Sequence, residues 1–502
     1  MKANDAYQWL VQHQTDTAYL FSTAELAAWD QRTYIPAQGH AHRSKQIETL
    51  ARLMHQRGTD PQINDRLQEV ESSAFLHEAS PKVRANIRMW RRDYDRQVKI
   101  PEKLASEIAG ASSAGESVWE SAMQENDWDS FFPHLEKLLS LSREKAECLG
   151  YANEPYDALL DEYEMGLTAT FLSSMFEELQ HPLVALLRKI QDSAVKPKHS
   201  VLHGDFPVSK QKQVCVSLVE AIGYSLKSGR IDESMHPFSV GIGPGDSRIT
   251  TRYNPEYLGS GIFGCLHEAG HSLYELGLPK AHFGTPAGIF ASIGVHESQS
   301  RLWENQVGRS LAFWKFARPV LDDAFSSVAN ASMDDLVLSV NEVKPGLIRV
   351  EADEVTYNLH VMLRFELERA LFKREIDPAE LPEVWSTKME QLLGIRPLTV
   401  KEGAMQDVHW SAGMFGYFPT YSLGNLYAAQ LFAAANRDLG DLDEQFGKGE
   451  FSELLGWLRQ KVHQKGQCLS PIELIRNATG ELPTSKYFLE YCQTKYSKLY
   501  QL

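Results

Sequence analysis

Apolar residues recur every three or four positions along almost the whole of this 502-residue chain, a spacing that admits little besides a body built from helices. The clearest stripe runs through residues 167–190, where Phe171, Met175, Leu179, Leu183, Leu187 and Ile190 share one helical face. Similar amphipathic segments occupy 5–28, 41–57, 81–99, 101–125, 130–149, 209–223, 299–330, 352–374, 423–440 and 451–464. Gly and Pro cluster in short joints rather than long linkers, as at Gly58-Thr59-Asp60-Pro61, Ile100-Pro101 and Asp377-Pro378. No internal repeat or low-complexity tract interrupts them. A chain of this length buries a large core, so the expectation is one mainly α domain over 1–502, made of two intimately packed lobes.

One stretch departs from the helical spacing. Phe238–Gly245 and Asp246–Tyr253 read as two short strands joined at Gly243-Pro244-Gly245. The second leads through Asn254-Pro255 directly into another helix. Such a hairpin either caps the helical core or presents an edge on which an extended peptide can pair.

Charge narrows the partners. Lys and Arg number 51 against 66 Asp and Glu, a net charge of −15, which argues against nucleic acid and against anionic membrane surfaces. The segment Arg88–Arg96 mixes cations with aromatics, but Asp93 and Asp95 interleave and the whole reads as a solvated helix face. Five scattered cysteines form no CxxC pair and suggest reduced thiols in a cytoplasmic setting, with Cys265 a small buried side chain. The N-terminal MKANDAYQWLVQH lacks the apolar run of a signal peptide, and no stretch approaches the ~18 apolar residues of a membrane span. Leu423–Ala435, the most apolar candidate, is broken by Asn425 and Gln430.

The chemistry concentrates in His267-Glu268-Ala269-Gly270-His271. Two imidazoles four apart on a helix project from one face and can reach one tetrahedral Zn²⁺ at ~2.0–2.1 Å. Glu268, beside the first histidine, can serve as general base without occupying the coordination sphere. This is the HExxH arrangement of zinc-dependent peptidases; the competing reading is a partly exposed helix whose histidines meet only water. A catalytic zinc needs a third protein ligand and keeps one position open. Glu275, Glu297 and Glu304 are the acidic candidates downstream. Glu275 lies one further turn along the same helix and reaches back poorly. Glu297 opens a new helix after the turn-rich Gly284–Gly294 connection and is the choice, with its neighbour His296 as the rival. Oxyanion donors are available in Gln406-Asp-Val-His409-Trp410 and in the aromatic run Gly413–Tyr421, which reads equally as a packing loop.

Six motifs in order give the chain a resemblance to a known family. They are His236-Pro237-Phe238, Asp246-Ser-Arg248-Ile-Thr250, His267 to His271, His296 to Gln299, Ile348-Arg349-Val-Glu-Ala-Asp353, and Gly403 to Trp410. The chain resembles, over essentially its whole length, the carboxypeptidase Taq, or thermostable carboxypeptidase 1, family of zinc metallocarboxypeptidases. The resemblance implies an elongated neurolysin-like helical fold with a deep groove, a catalytic core over roughly 230–425 and a homodimer. It implies release of single residues from the C-termini of peptides, with Zn²⁺ or Co²⁺ as cofactor. Carried over by position, His267, His271 and Glu297 are the ligands and Glu268 the general base. His409 and a downstream tyrosine, Tyr421 ahead of Tyr417, bind the oxyanion. Arg349 matches the family's carboxylate-binding arginine, with Arg248 a second candidate that could instead anchor the hairpin, and His236 bordering the subsite. Asp353 and Asp407 are candidates for orienting the ligand histidines or Arg349. Alternatives on the same scaffold are a zinc oligopeptidase or a dipeptidyl carboxypeptidase. An alternative of a different class is a helical binding protein with a vestigial metal site.

Overall fold

Thr168 starts the Leu-rich helix Ala169–Asp192 by accepting a hydrogen bond from the Phe171 amide, leaving Leu172, Met175, Phe176, Leu179, Leu183, Leu187 and Ile190 buried along one side. The same logic of cap and stripe generates most of the molecule. The computed structural model describes residues 2–502, which are mainly helical with one small three-stranded sheet. Two compact units emerge, each assembled from three sequence segments.

The first unit comprises Met1–Val98, Pro197–Val340 and Ala428–Leu482. Its N-terminal helix Lys2–Thr33 packs against His40–Gly58 and Pro61–Glu71, with Tyr7, Leu10, Leu67, Val70 and Trp90 forming a core. The unit also holds the sheet: β1 (Ile231–Glu233), β2 (Ser239–Gly243) and β3 (Asp246–Thr251), in the order β1-β3-β2. The expected hairpin is present, with Val240 opposite Arg248 and Ser239 opposite Ile249. β1 pairs parallel to β3 and was not legible, because three residues carry no periodicity.

β2 and β3 lie against the helix Leu258–Gly277, which contains the HExxH residues. The Ser272 hydroxyl shares hydrogen bonds with those of Ser239 (2.9 Å) and Ser247 (2.7 Å), tying the sheet to the turn that follows His271. The expected single helix over 299–330 is instead four pieces, the last of them the short turn Ser326–Ala329. Ile293–Arg301 runs into a wider π-helical turn, Leu302–Val307, and Ser310 then caps a new helix, Leu311–Ala324, by accepting from the Phe313 amide.

The second unit comprises Lys99–Lys196, Asn341–Tyr427 and Pro483–Leu502. Its central helix, Tyr357–Lys373, is nearly enclosed, with Leu359, Val361, Met362, Leu363 and Leu367 fully buried. The helix begins later than the expected 352 because Asp353 accepts from the amides of Val355 and Thr356, a local turn that delays helical winding. Several short helices went unread, although Ser470-Pro471-Ile-Glu473 carries a complete capping box. No helix among the described residues is long and apolar enough to cross a membrane.

Candidate active site

The Leu258–Gly277 helix buries Ile262, Leu266, Ala269 and Leu273, so that His267, Glu268 and His271 emerge together. Gly270 is what allows another element to come close. A Cβ there would stand 2.6 Å from both the Gln299 carbonyl oxygen and the Ser300 Cα. Only a bare Cα lets the Ile293–Arg301 backbone pass, and this approach brings Glu297 to the histidines. Ser292 caps that helix by accepting from the Val295 amide at 3.1 Å.

The Glu297 Oε2 atom lies 3.7 Å from His267 Nε2 and 3.4 Å from His271 Nε2. Ligand atoms of all three residues fall within 4.8 Å of one another. Donors bound tetrahedrally at ~2.0–2.1 Å from one ion stand roughly 3.3–3.4 Å apart, so the spacing suits a shared cation. The tautomers suit it too. His267 Nδ1 lies 2.9 Å from Glu304 Oε2, and His271 Nδ1 lies 3.1 Å from the His296 carbonyl. Both partners only accept, so each Nδ1 carries the hydrogen and each Nε2 is left to face Glu297.

Electrostatics point the same way. Burial opposes charge on His267, but Glu297, Glu304 and Glu268 outweigh it and hold the imidazole up at about 9. That demand for positive charge is one a divalent cation would satisfy. Burial drives His271 down to about 3. Glu297 is 6% exposed; burial pushes it up, yet Arg301, His267 and His271 hold it well below the usual carboxylate range. Glu268 is raised to about 7, chiefly by burial, with Glu297 and Glu304 adding to the rise against the lowering pull of His267 and Arg301.

Three residues around this centre were weighed differently or missed. Glu304 was considered as a ligand; it instead accepts from His267 and from Arg301 at 3.2 Å, with Arg309 at 3.4 Å. Arg301 bridges Glu297 and Glu304, its Nε donating to Glu297 Oε1 at 2.8 Å. The signal was their i+4 and i+7 spacing from Glu297. His296, the rival ligand, turns away: its Nε2 meets Glu275 Oε1 at 2.9 Å, and its ring stacks on His271 at 4.6 Å.

The second unit gathers another buried constellation. Asp407 accepts from two guanidinium groups, Arg349 (2.7 Å) and Arg364 (2.6 Å), which are 4% and 0% exposed. Burial pushes the Asp407 carboxyl up, but the two arginines hold it well below its usual range. One carboxylate facing two guanidiniums leaves a surplus positive charge. Arg349 also donates to the Tyr357 hydroxyl at 2.9 Å and lies 4.7 Å over the Tyr421 ring. His409 Nε2 and the Tyr421 hydroxyl share a hydrogen bond of 3.0 Å, and the Tyr417 ring is tilted at 51° to His409 with ring centroids 5.4 Å apart. Burial lowers His409 to about 3, so its imidazole is neutral at physiological pH. Arg364, reached from Asp407 across 43 residues, carried no sequence signal.

The remaining candidates lie elsewhere. Arg248 forks Asp246 through Nε (2.9 Å) and Nη2 (2.8 Å) and stacks 4.4 Å over Trp29, the geometry of a hairpin anchor. His236 is exposed in the β1–β2 connection, where its carbonyl accepts from Ser234. Asp353 is occupied by local amides and the Thr356 hydroxyl, and orients neither a ligand histidine nor Arg349.

Known proteins resemble this chain over nearly its whole length. The model of the carboxypeptidase Taq (M32) metallopeptidases matches residues 10–496. Thermostable carboxypeptidase 1 of Thermus thermophilus is 50% identical over 510 residues, covering 100% of both chains. Carboxypeptidase 1 of Bacillus subtilis is 38% identical over 480 residues, covering 95% of each. The crystal structure of an M32 carboxypeptidase from Deinococcus radiodurans superposes with a TM-score of 0.96 at 37% identity, over 99% of this chain and 100% of that one. The chain therefore belongs to the carboxypeptidase Taq (M32) family of metallopeptidases, and is a metallocarboxypeptidase.

Proposed function

We propose that this protein is a zinc carboxypeptidase that releases single residues from peptide C-termini. The convergence of His267, His271 and Glu297 at ligand spacing beside a buried Glu268 carries the reading. When bound, zinc supplies Lewis-acid chemistry, acidifying water and polarising the scissile carbonyl. Glu268 takes the proton of the attacking water and delivers it to the leaving amine, a task suited to a carboxylate whose pKa lies near neutrality. Arg301 keeps Glu297 ionised and Glu304 keeps His267 oriented. The Tyr421 hydroxyl, held by neutral His409, donates to the oxyanion, a contact commonly worth ~3–4 kcal/mol. Arg349 receives the substrate carboxylate, supported by the surplus positive charge of the pair of arginines around Asp407. Arg248 serves the hairpin, and the β2 edge holds the peptide backbone.

The catalytic core spans 230–425, the protein works as a homodimer, and its five free cysteines fit the reducing cytoplasm. Light scattering on the purified protein tests the dimer. Mass spectrometry of a mixed peptide digest, with and without a chelator, tests the activity. Stepwise loss of one C-terminal residue, stopped by chelation and restored by zinc, is the expected result. Loss of dipeptides, or internal cleavage, would replace single-residue release with one of the alternatives on this scaffold. Turnover that survives full metal removal would overturn the zinc reading.

A further inference from the structure

A cavity of ≈ 590 Å³ opens in the first unit, walled by the helix Lys2–Thr33, by β2 and by the end of the Leu258–Gly277 helix. That volume lies within the ~300–1,000 Å³ range of small-ligand pockets. The walls are apolar: Phe21, Val240, Phe283, Ile289 and Phe290 contribute, and Phe21 and Ile289 remain 53% and 38% exposed. The cavity reaches the metal centre through one ring, because His296 lines it and stacks on His271 at 4.6 Å.

Two further observations fix how a peptide would meet it. β2 is an edge strand. The Thr250 amide donates to the Phe238 carbonyl, so by alternation Val240 also bonds toward β3, while Ser239 and Gly241 turn their main-chain groups outward along the open edge. The His296–Glu275 pair is pressed against this strand, where a Cβ on Gly241 would stand 2.8 Å from Glu275 Oε2. The charges then decide which part of a substrate enters. The ionisable groups lining the cavity are Glu25, Glu275, Lys280 and His296. Two carboxylates against one ammonium repel a C-terminal carboxylate, so the residue that is released does not lie here.

We propose that this cavity is the subsite for the residue on the amino side of the scissile bond, and that it takes large uncharged apolar side chains and rejects acidic ones. The proposal rests on the carboxypeptidase reading and deepens it to a substrate class. The test uses the full-length zinc-loaded protein and N-blocked dipeptides X-Ala, with X as Phe, Leu, Gly or Asp, reading kcat/KM for alanine release. Phe and Leu should exceed Gly by ~10- to 100-fold, the size expected for burying such a side chain, and Asp should fall below Gly. Ala18→Trp projects an indole into the cavity and should bring Phe and Leu down to the Gly value while leaving Gly unchanged. Ile289→Ala should shrink the preference several-fold, and Glu25→Gln should raise Asp to the Gly value. Thermal melts check that the variants fold, and Ile289→Ala decides the matter if Ala18→Trp does not. Equal release from all four peptides, or equal loss from all four in the variants, would overturn the subsite alone. Release from none of them would overturn the carboxypeptidase reading, and the subsite with it.

Discussion

Glu304→Gln is the sharpest probe of the proposed metal centre, because it keeps shape and removes charge from a residue outside the proposed ligand set. Glu304 Oε2 accepts from His267 Nδ1 at 2.9 Å, and burial's upward push on this carboxyl is overcome by Arg301, His267 and Arg309, which hold it at about 2. The wild-type bond is therefore charge-assisted at any pH where the enzyme works. Such a bond makes the imidazole a better donor to a cation and fixes the plane of its ring. Replacing the carboxylate by an amide retains an acceptor but drops that assistance. Partners of this kind contribute ~10- to 100-fold to metal affinity, about 1.4–2.7 kcal/mol. The assay is competition for Zn²⁺ between metal-free protein and a chromogenic chelator of known affinity, with circular dichroism checking that the fold is kept. The dissociation constant should rise by ~10- to 100-fold. His296→Ala should do less, since His271 is held by the main-chain carbonyl of that residue rather than its side chain. A Glu304→Gln protein that binds zinc within a factor of about two of wild type would refute the reasoning about how His267 is held.

Glu268→Gln should bind zinc normally yet lose hydrolysis; undiminished turnover would remove Glu268 from the mechanism. Arg349→Ala should weaken cleavage of free-acid peptides far more than of their C-terminally amidated counterparts, and equal losses on both would contradict its assignment. Gly270→Ala should cost about 1–3 kcal/mol by overpacking against Gln299 and Ser300, and should weaken zinc binding as Glu297 is pushed outward; a variant with wild-type melting and affinity would show that the two helices have room to spare. Asp407→Asn should destabilise by about 3–5 kcal/mol near neutral pH, because two buried guanidiniums lose their shared carboxylate. Since the folded pKa of Asp407 lies below its unfolded value, that stabilisation is fully present above ~4 and is lost as pH falls toward the folded value. Urea midpoints of wild type and variant should therefore converge in strong acid, and a gap independent of pH would exclude the ion pairs as its source.

What separates the legible parts of this molecule from the illegible ones is the range over which the deciding contact acts. His267, Glu268 and His271 are brought to one place by helical spacing alone, and the connection before Glu297 is long enough to return a second helix to them, so the clustering of these side chains was legible from local pattern. The hairpin was legible for the same reason: two short runs and a Gly-Pro-Gly turn decide it locally. β1 was not, because its three residues become a strand only beside β3. Glu304 was weighed as a ligand and passed over; its bond to His267 joins residues 37 apart on two different helices, which helical counting along either one does not reach. Arg364 shows the limit most clearly. The chain has 51 Lys and Arg residues, nearly all of which a sequence reader must place at the surface, and one cation on an apolar helix looks like any other. Its burial is tolerable only because Asp407 arrives from 43 residues away and shares its carboxylate with Arg349. A buried charge is a property of the pair, and the pair exists only once both segments have folded.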